Sequence, residues 1–321
     1  MASCGRRGEG QARQVVLYCS VDQQAAEPII AAFEKHTGIR VLTRFDTEAT
    51  KTTGLVQRLR AESSSPAADV FWSGEVFHTI RLAGEGLLAP YDGPEAADRA
   101  AQFRDTNGRW FAFGLRQRVI AYDTRRVGGA NAPRRLEDLI EARWKGRVVM
   151  AEPQFGTTGG DVASWFVHYG PDRAAEILRG LKANGLRLVQ GNSTAVRMVA
   201  EGRSDVCLTD TDDVYAAQRN GWPIAMTPLD QGGAGALAIP NTAALVAGGP
   251  HPQAAAKLMA FLLGERTERM LVESDAHNTP VRAALAEAFG AYRLAAPLKT
   301  DYAAVADAMP HAIRTAMEIL R

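Results

Sequence analysis

Long apolar runs are missing from this sequence. No window of its 321 residues holds the roughly 18 uninterrupted apolar residues that a bilayer-spanning helix needs, and no apolar h-region precedes a cleavage site. Cysteine is scarce. Cys4, Cys19 and Cys207 are an odd number without C-x-x-C spacing, which excludes a disulfide framework and a zinc knuckle. Cys19 and Cys207 sit in short apolar runs, where a free thiol behaves as a small buried hydrophobe. Net charge is nearly absent: 37 Lys+Arg stand against 36 Asp+Glu, a formal +1. No whole-molecule field therefore points to nucleic acid or an acidic membrane, and any charge selectivity must be local. Catalytic signatures are missing as well. The six histidines show neither H-E-x-x-H nor paired zinc spacing, there is no G-x-S-x-G elbow or Walker A loop, and Gly232-Gly233-Ala234-Gly235 fails the dinucleotide spacing. An enzyme has no support here, and no catalytic cofactor is expected.

What is present is ordinary globular composition, 46% hydrophobic and 23% charged, in a chain longer than one hydrophobic core usually sustains. Two lobes are the expectation. Met1-Ala2-Ser3-Cys4-Gly5 is similar to the end of a bacterial lipoprotein signal, with Cys4 as the acylated residue and the h-region upstream; an unremarkable flexible start is the alternative. Residues 1–13 then suit a tether. Val15 to Cys19 is strand-like, and Asp22 is placed to cap a helix carrying Ile29, Ile30 and Phe33 that Gly38 stops. Ile39 to Phe45 alternates as a strand, Leu55, Val56 and Leu59 mark a helix, and Asp69 to Trp72 is a short buried strand. Trp110 to Tyr122 reads as strand, 133–142 as helix, Arg147 to Met150 as strand, with further βα units at 186–190 and 206–209 and a strand at 234–239. From Gln253 on the chain is helical. Strands alternating with helices imply a mainly parallel sheet, and in such sheets ligands bind beyond the carboxyl ends of the strands.

The polar clusters fall at those ends: Ser20 to Asp22, Asp46 to Thr50, Ser73 to Glu75, Gly156 to Gly160, Gly191 to Thr194 and Asp210 to Tyr215. Asp22 and Ser73 are ligand-binding candidates on that ground. Gly156, Thr157 and Thr158 open a helix where backbone N–H groups and hydroxyls accept an anion, or form a simple capped Gly-rich loop. Arg116 and Arg118 share one face of a strand and can grip a carboxylate, carbonate or phosphate bidentately, with a surface salt bridge as the competing account. Asp212, Asp213 and Tyr215 follow an apolar strand directly. Hard oxygen donors of this kind suit Fe(III), Ca²⁺ or an ammonium group, and helix capping explains one or two of the acids in the Asp210-Thr211-Asp212-Asp213 run. Glu75 is a further candidate acid, again with capping as its alternative.

Phe33-Glu34-Lys35-His36-Thr37-Gly38-Ile39, Ala68-Asp69-Val70-Phe71-Trp72 before Glu75, Gly86-Leu87-Leu88, Ile239-Pro240-Asn241, His251-Pro252, Phe261-Leu262-Leu263 and Thr279-Pro280-Val281-Arg282 occur in one order. That order resembles family 1 extracellular solute-binding proteins of ABC importers, in particular the ferric-binding branch, over about residues 14–290. The resemblance implies an α/β, bilobal periplasmic-binding-protein fold (class II): two mixed-sheet lobes joined by a two-segment hinge near Phe113 and Pro228. Lobe 1 would hold 14–113 plus 229–280, and lobe 2 114–228 plus 281–321. It also implies Fe(III) bound in the cleft with a synergistic carbonate or phosphate, metal ligands Glu75 and Tyr215, to which the acid run itself would add Asp212 or Asp213, and anion contacts from Asn192, Ser193 and the Gly156 loop. The family's adjacent tyrosine pair reads Val214-Tyr215 here. A membrane permease is the implied partner, with an extracytoplasmic location and a monomeric state. The same fold holding a small zwitterionic, phosphorylated or phosphonate metabolite is the alternative. An enzyme on this architecture, or a sensory domain cut from a regulator, fits poorly for want of an acid/base pair or a helix-turn-helix.

Overall fold

The computed structural model describes residues 13–46 and 52–321. Cys4 and nearly all of the expected tether lie outside the described residues, as does most of the 46–50 cluster. The strands are β1 (Gln14–Cys19), β2 (Arg40–Phe45), β3 (Val70–Ser73), β4 (Leu88–Ala89), β5 (Phe111–Asp123), β6 (Val148–Ala151), β7 (Arg187–Val189), β8 (Val206–Asp210), β9 (Ile224–Pro228) and β10 (Ala238–Val246). The helices are α1 (Gln23–Thr37), α2 (Thr53–Ala61), α3 (Phe77–Gly84), α4 (Gly156–Tyr169), α5 (Pro171–Ala183), α6 (Asn192–Ala200), α7 (Thr211–Arg219), α8 (Pro252–Leu262), α9 (Glu265–Glu273), α10 (Ala283–Ala288) and α11 (Tyr302–Leu320).

The chain divides into two compact units. One contains the segments up to Leu115, Pro240–Ser274 and Asn278–Ala291; the other contains Arg116–Ile239, Asp275–His277 and Tyr292–Arg321. The β5 crossing lies two residues past the expected boundary after Phe113. The second crossing lies inside β10 rather than near Pro228, and the return to the second unit comes at Tyr292 rather than residue 281.

In the first unit β1 pairs in parallel with β2 and β3, while β10 runs antiparallel to β3 and β4. β10 breaks the expected parallel pattern because it enters from the other unit rather than through a β-α-β crossover. Val15, Leu17, Ile29, Phe33, Val70, Trp72, Phe113 and Leu258 form the core. The 3.6-residue spacing of Ile29, Ile30 and Phe33 lays one face of α1 on it. Gly38, at φ +68, ends that helix and donates to the Glu34 carbonyl at 2.8 Å, a left-handed position that glycine takes without strain.

The Asp69 and His251-Pro252 motifs turn out to be one structural device. Asp69 accepts from the Val16 amide at 2.7 Å and from both the backbone amide and, at 2.8 Å, the ring Nδ1 of His251. It joins β1 to the start of α8.

In the second unit β5 runs antiparallel to β8 and β9, and β6 runs parallel to β7 and β8. Val119, Val149, Val196, Cys207 and Val214 belong to its core. Cys19 and Cys207 are buried free thiols, each pushed well above the usual thiol range by burial. α4 packs on α11, and a Cβ on Gly159 would meet the Pro153 carbonyl oxygen at 2.5 Å and Ile313 at 3.1 Å. Only glycine permits that approach.

Two expected elements differ. Residues 133–142 hold short 3₁₀ turns at Glu137–Ile140 and Ala142–Trp144 instead of a helix. Asp138 takes the Arg134 and Arg135 amides at 2.8 and 3.0 Å, and Asn184 Nδ2 donates to the Leu139 and Glu141 carbonyls, so side chains satisfy the groups a helix would have paired. Of the expected 234–239 strand, Ala238 and Ile239 belong to β10, Ala234 lies in a turn where the Asp230 carboxylate accepts from its amide at 2.7 Å, and Ala236 makes an isolated parallel bridge to Pro297. Replacing Asp69 with Ala strands three buried donors and is expected to cost about 3 kcal/mol or more, read as a lowered urea midpoint; wild-type stability would contradict the bracing role.

Candidate ligand and metal site

The polar strand ends of the second unit meet at Asp210. β6, β7 and β8 run parallel, so the helices that follow them, α4, α6 and α7, start on the same side of the sheet. Asp210 is the last residue of β8 and lies opposite Arg118 in the β5 ladder. The Arg118 side chain is fully buried, with Nη1 2.7 Å from Asp210 Oδ1 and Nε 2.9 Å from Asp161 Oδ2. Asp210 Oδ2 accepts from Thr157 Oγ1 at 2.7 Å and Asn192 Nδ2 at 3.1 Å. Arg116, on the same face of β5, places Nη1 2.8 Å from Asp212 Oδ2 and 3.4 Å from Asp210 Oδ2. Asp213 accepts from Thr209 Oγ1 at 2.8 Å and from Ser193 Oγ at 3.2 Å. Asp210, Asp212 and Asp213 each offer a carboxylate oxygen within 4.8 Å of the others.

Electrostatics follows from the formal charges. Four carboxylates (Asp161, Asp210, Asp212, Asp213) face two guanidiniums, a formal −2 for these six groups. Burial alone raises the Asp210 carboxyl, but Arg118 and Arg116 outweigh it and the net direction is down. Burial raises the Asp161 carboxyl, and although Arg118 and a 3.3 Å hydrogen bond from Trp165 Nε1 oppose it, burial together with the Asp210 charge wins and the net direction is up. Burial lowers Arg118 while Asp161 and Asp210 jointly raise it further, so it stays charged.

Of the expected site residues, Arg116, Arg118, Thr157, Asn192, Ser193, Asp212 and Asp213 share this network. Thr158 Oγ1 donates to Asn192 Oδ1 at 3.3 Å, and Gly156 opens α4 at φ +58. Both arginines are in ion pairs, as the competing account held, but these pairs are buried rather than superficial. Asp22, Ser73 and Glu75 belong to the first unit. Asp22 stands exposed at the N-cap position of α1. Glu75 is buried and accepts the Phe77 amide at 2.8 Å and the His78 amide at 3.2 Å, capping α3, with Ser73 Oγ 3.3 Å from the Glu75 amide. Helix capping is therefore the role its geometry displays.

Tyr215 follows Asp212 by one turn of α7 and is half-buried. Its ring lies edge-on to His277 and Tyr292, at centroid distances of 5.0 and 5.7 Å.

Sequence reasoning missed Asp161, Thr209, His277 and Tyr292. Asp161 follows Thr157 by four residues on α4, a spacing that places both on one helix face. Thr209 sits in the strand preceding the aspartates. His277 and Tyr292 carry no local signal, since tertiary structure alone brings them to Tyr215.

The sequence matches the family of bacterial extracellular solute-binding proteins over residues 65–304. Iron uptake protein A1 of Synechocystis sp. is 25% identical over 303 residues, covering 88% of this chain and 82% of that protein. The major ferric iron-binding protein of Neisseria meningitidis serogroup B is 27% identical over 270 residues, covering 80% and 78%. The crystal structure of iron-bound HitA from Pseudomonas aeruginosa superposes with a TM-score of 0.82 at 25% identity, covering 95% of this chain and 99% of that one.

Replacing Arg118 with Met is expected to destabilise the protein by about 3–5 kcal/mol, because two buried carboxylates lose their counter-charge; urea unfolding followed by circular dichroism measures it. Asp210, depressed in the fold, contributes stability that is present above the unfolded carboxylate value of about 4 and lost as pH falls through its lower folded value. Asp210→Asn should therefore flatten the loss of stability below about pH 4, read from urea midpoints against pH; an unchanged slope would contradict this.

Proposed function

The chain belongs to the bacterial extracellular solute-binding proteins, and from that membership we propose that it is the capture component of an ABC importer whose cargo is Fe(III), taken up with a synergistic anion. The observation that carries the reading is the convergence of the Asp210, Asp212 and Asp213 carboxylates within 4.8 Å, with Tyr215 one turn along the same helix. Carboxylate and phenolate oxygens are hard donors suited to a trivalent ion of high charge density. The iron proteins among the relatives support the same cargo.

The residues divide the work by charge. Arg118 anchors Asp210 and keeps it ionised, which fixes β8 and the start of α7. Arg116 orients Asp212, and Ser193 and Thr209 orient Asp213. Carbonate or phosphate would be held by Arg116 and by the hydroxyls and amides at the starts of α4 and α6, where helix dipoles favour negative charge. Delivery would be to a membrane permease by a monomer, and Cys4 is the proposed lipid-anchoring residue.

Adding ferric salt with bicarbonate to the purified protein is expected to produce a visible phenolate-to-iron charge-transfer band. It should also raise thermal stability, by about 2.7 kcal/mol at one hundred times the dissociation constant. Absence of both band and shift across carbonate, phosphate and citrate overturns the iron reading. Asp212→Asn is expected to weaken ferric binding at least about tenfold.

A further inference from the structure

The turn that follows α6 in the second unit is ringed by arginines. Arg125 Nη2 donates to the Ala200 carbonyl at 2.8 Å and Arg126 Nη1 to the Gly202 carbonyl at 2.6 Å. Arg126 Nε and Arg147 Nη1 lie 2.9 and 3.0 Å from the two carboxylate oxygens of Asp205. Arg187 Nη2 donates to the Arg203 carbonyl and to Ser204 Oγ, and Arg203 itself pairs with Glu201. Arg125 also pairs with Asp123 at 2.7 Å. Five guanidiniums thus meet three carboxylates, a formal +2 for these eight groups. In a chain whose whole formal charge is +1, that is a local concentration.

The charges are layered as well. The Asp123 and Asp205 side chains are 0% and 3% exposed, whereas their partners Arg125, Arg126 and Arg147 are 54%, 48% and 57% exposed. Two of the anions lie beneath while the cations face water, and Arg203 is exposed with them. By contrast, Arg143 and Arg173 meet Glu141 and Glu176, acids that are exposed alongside them and cancel their charge at the surface. Helix capping is a reason for Arg125, which alone reaches a carbonyl of α6, and not for the other four. Arg147 precedes β6, Arg187 opens β7 and Asp205 precedes β8, so the patch stands at the N-terminal ends of these parallel strands. Asp210 and the starts of α4, α6 and α7 lie at the opposite ends.

We propose that this arginine face is a docking surface for an anionic phospholipid bilayer, whose headgroup phosphates complement its charge. Guanidiniums grip phosphate through paired N–H donors. Arranged around a turn rather than aimed at one point, they suit a plane of many phosphates better than a single bound anion. A bilayer is the phosphate surface that an extracellular solute-binding protein meets, whereas nucleic acid lies inside the cell. Each cation near an anionic bilayer strengthens association about fivefold, and salt weakens it because the attraction acts through water. Docking on this face turns the strand ends that carry Asp210 away from the bilayer. The proposal is independent of the iron reading, since it uses none of the same residues.

The test is co-sedimentation of the full chain with phosphatidylglycerol and with phosphatidylcholine vesicles, at low and at raised ionic strength. Wild type is compared with R147Q/R203Q, R147K/R203K and R173Q, the fold of each being checked by thermal unfolding. Wild type should sediment with phosphatidylglycerol only and be released by salt. R147Q/R203Q should bind about tenfold or more weakly, R147K/R203K, which keeps the charge, should bind more tightly than R147Q/R203Q, and R173Q should match wild type. Should R147Q/R203Q be unstable, R203E carries the test with the same loss expected, because Arg203 pairs only at the surface. Sedimentation with neither vesicle, equal sedimentation with both, or a stable R147Q/R203Q that binds like R173Q overturns the proposal. Binding of soluble polyphosphate without vesicle association overturns it too, in favour of a polymer as partner.

Discussion

A single guanidinium organises the second unit. Arg118 is wholly buried between Asp161 of α4 and Asp210 at the end of β8, and neither carboxylate could remain charged in that position without it. Burying an ion costs several kcal/mol even after relaxation, which only close and well-aligned partners offset. The consequence is directional. β5 supplies the cation, β8 and α4 supply the anions, and the starts of α4, α6 and α7 are drawn to one point where Thr157 and Asn192 complete the coordination of Asp210.

That arrangement leaves charge to spare. With Arg118 shared and Arg116 committed to Asp212 and Asp210, three carboxylate oxygens still converge within 4.8 Å. Like charges held this close are unfavourable unless something positive is admitted. The difference between Asp210, whose carboxyl is driven down by two arginines, and Asp161, whose carboxyl is driven up by burial against one, shows how the same guanidinium supports two acids unequally.

The first unit offers a contrast. Glu75 looked from its position at a strand end like an acid presented to a ligand, and its carboxylate accepts from the first amides of α3. A carboxylate two residues before a helix satisfies orphan N–H groups more directly than it serves any distant partner. Asp69 likewise reads as an unremarkable acid before a buried strand, yet it ties β1 to α8 through His251. For Asp69 the residue type and location were legible but the partner was not, because His251 lies far along the chain; for Glu75 capping was already legible as the alternative, its partners lying in the next turn of the same segment.

The sequence by itself determined the order of elements, the two-unit division, the clustering of polar groups at strand ends and the family resemblance, since each depends on local periodicity, turn chemistry or contiguous motifs. It also placed Arg116 and Arg118 on one face and gathered Asp210, Asp212 and Asp213 within a single turn. Only the tertiary structure decided that Arg118 pairs inward with Asp161, that Asn184 holds the 3₁₀ turns within residues 133–142, and that His277 and Tyr292 stand against Tyr215. Those outcomes depend on contacts between segments far apart along the chain, where no spacing rule reaches and the balance between desolvation and pairing sets the result.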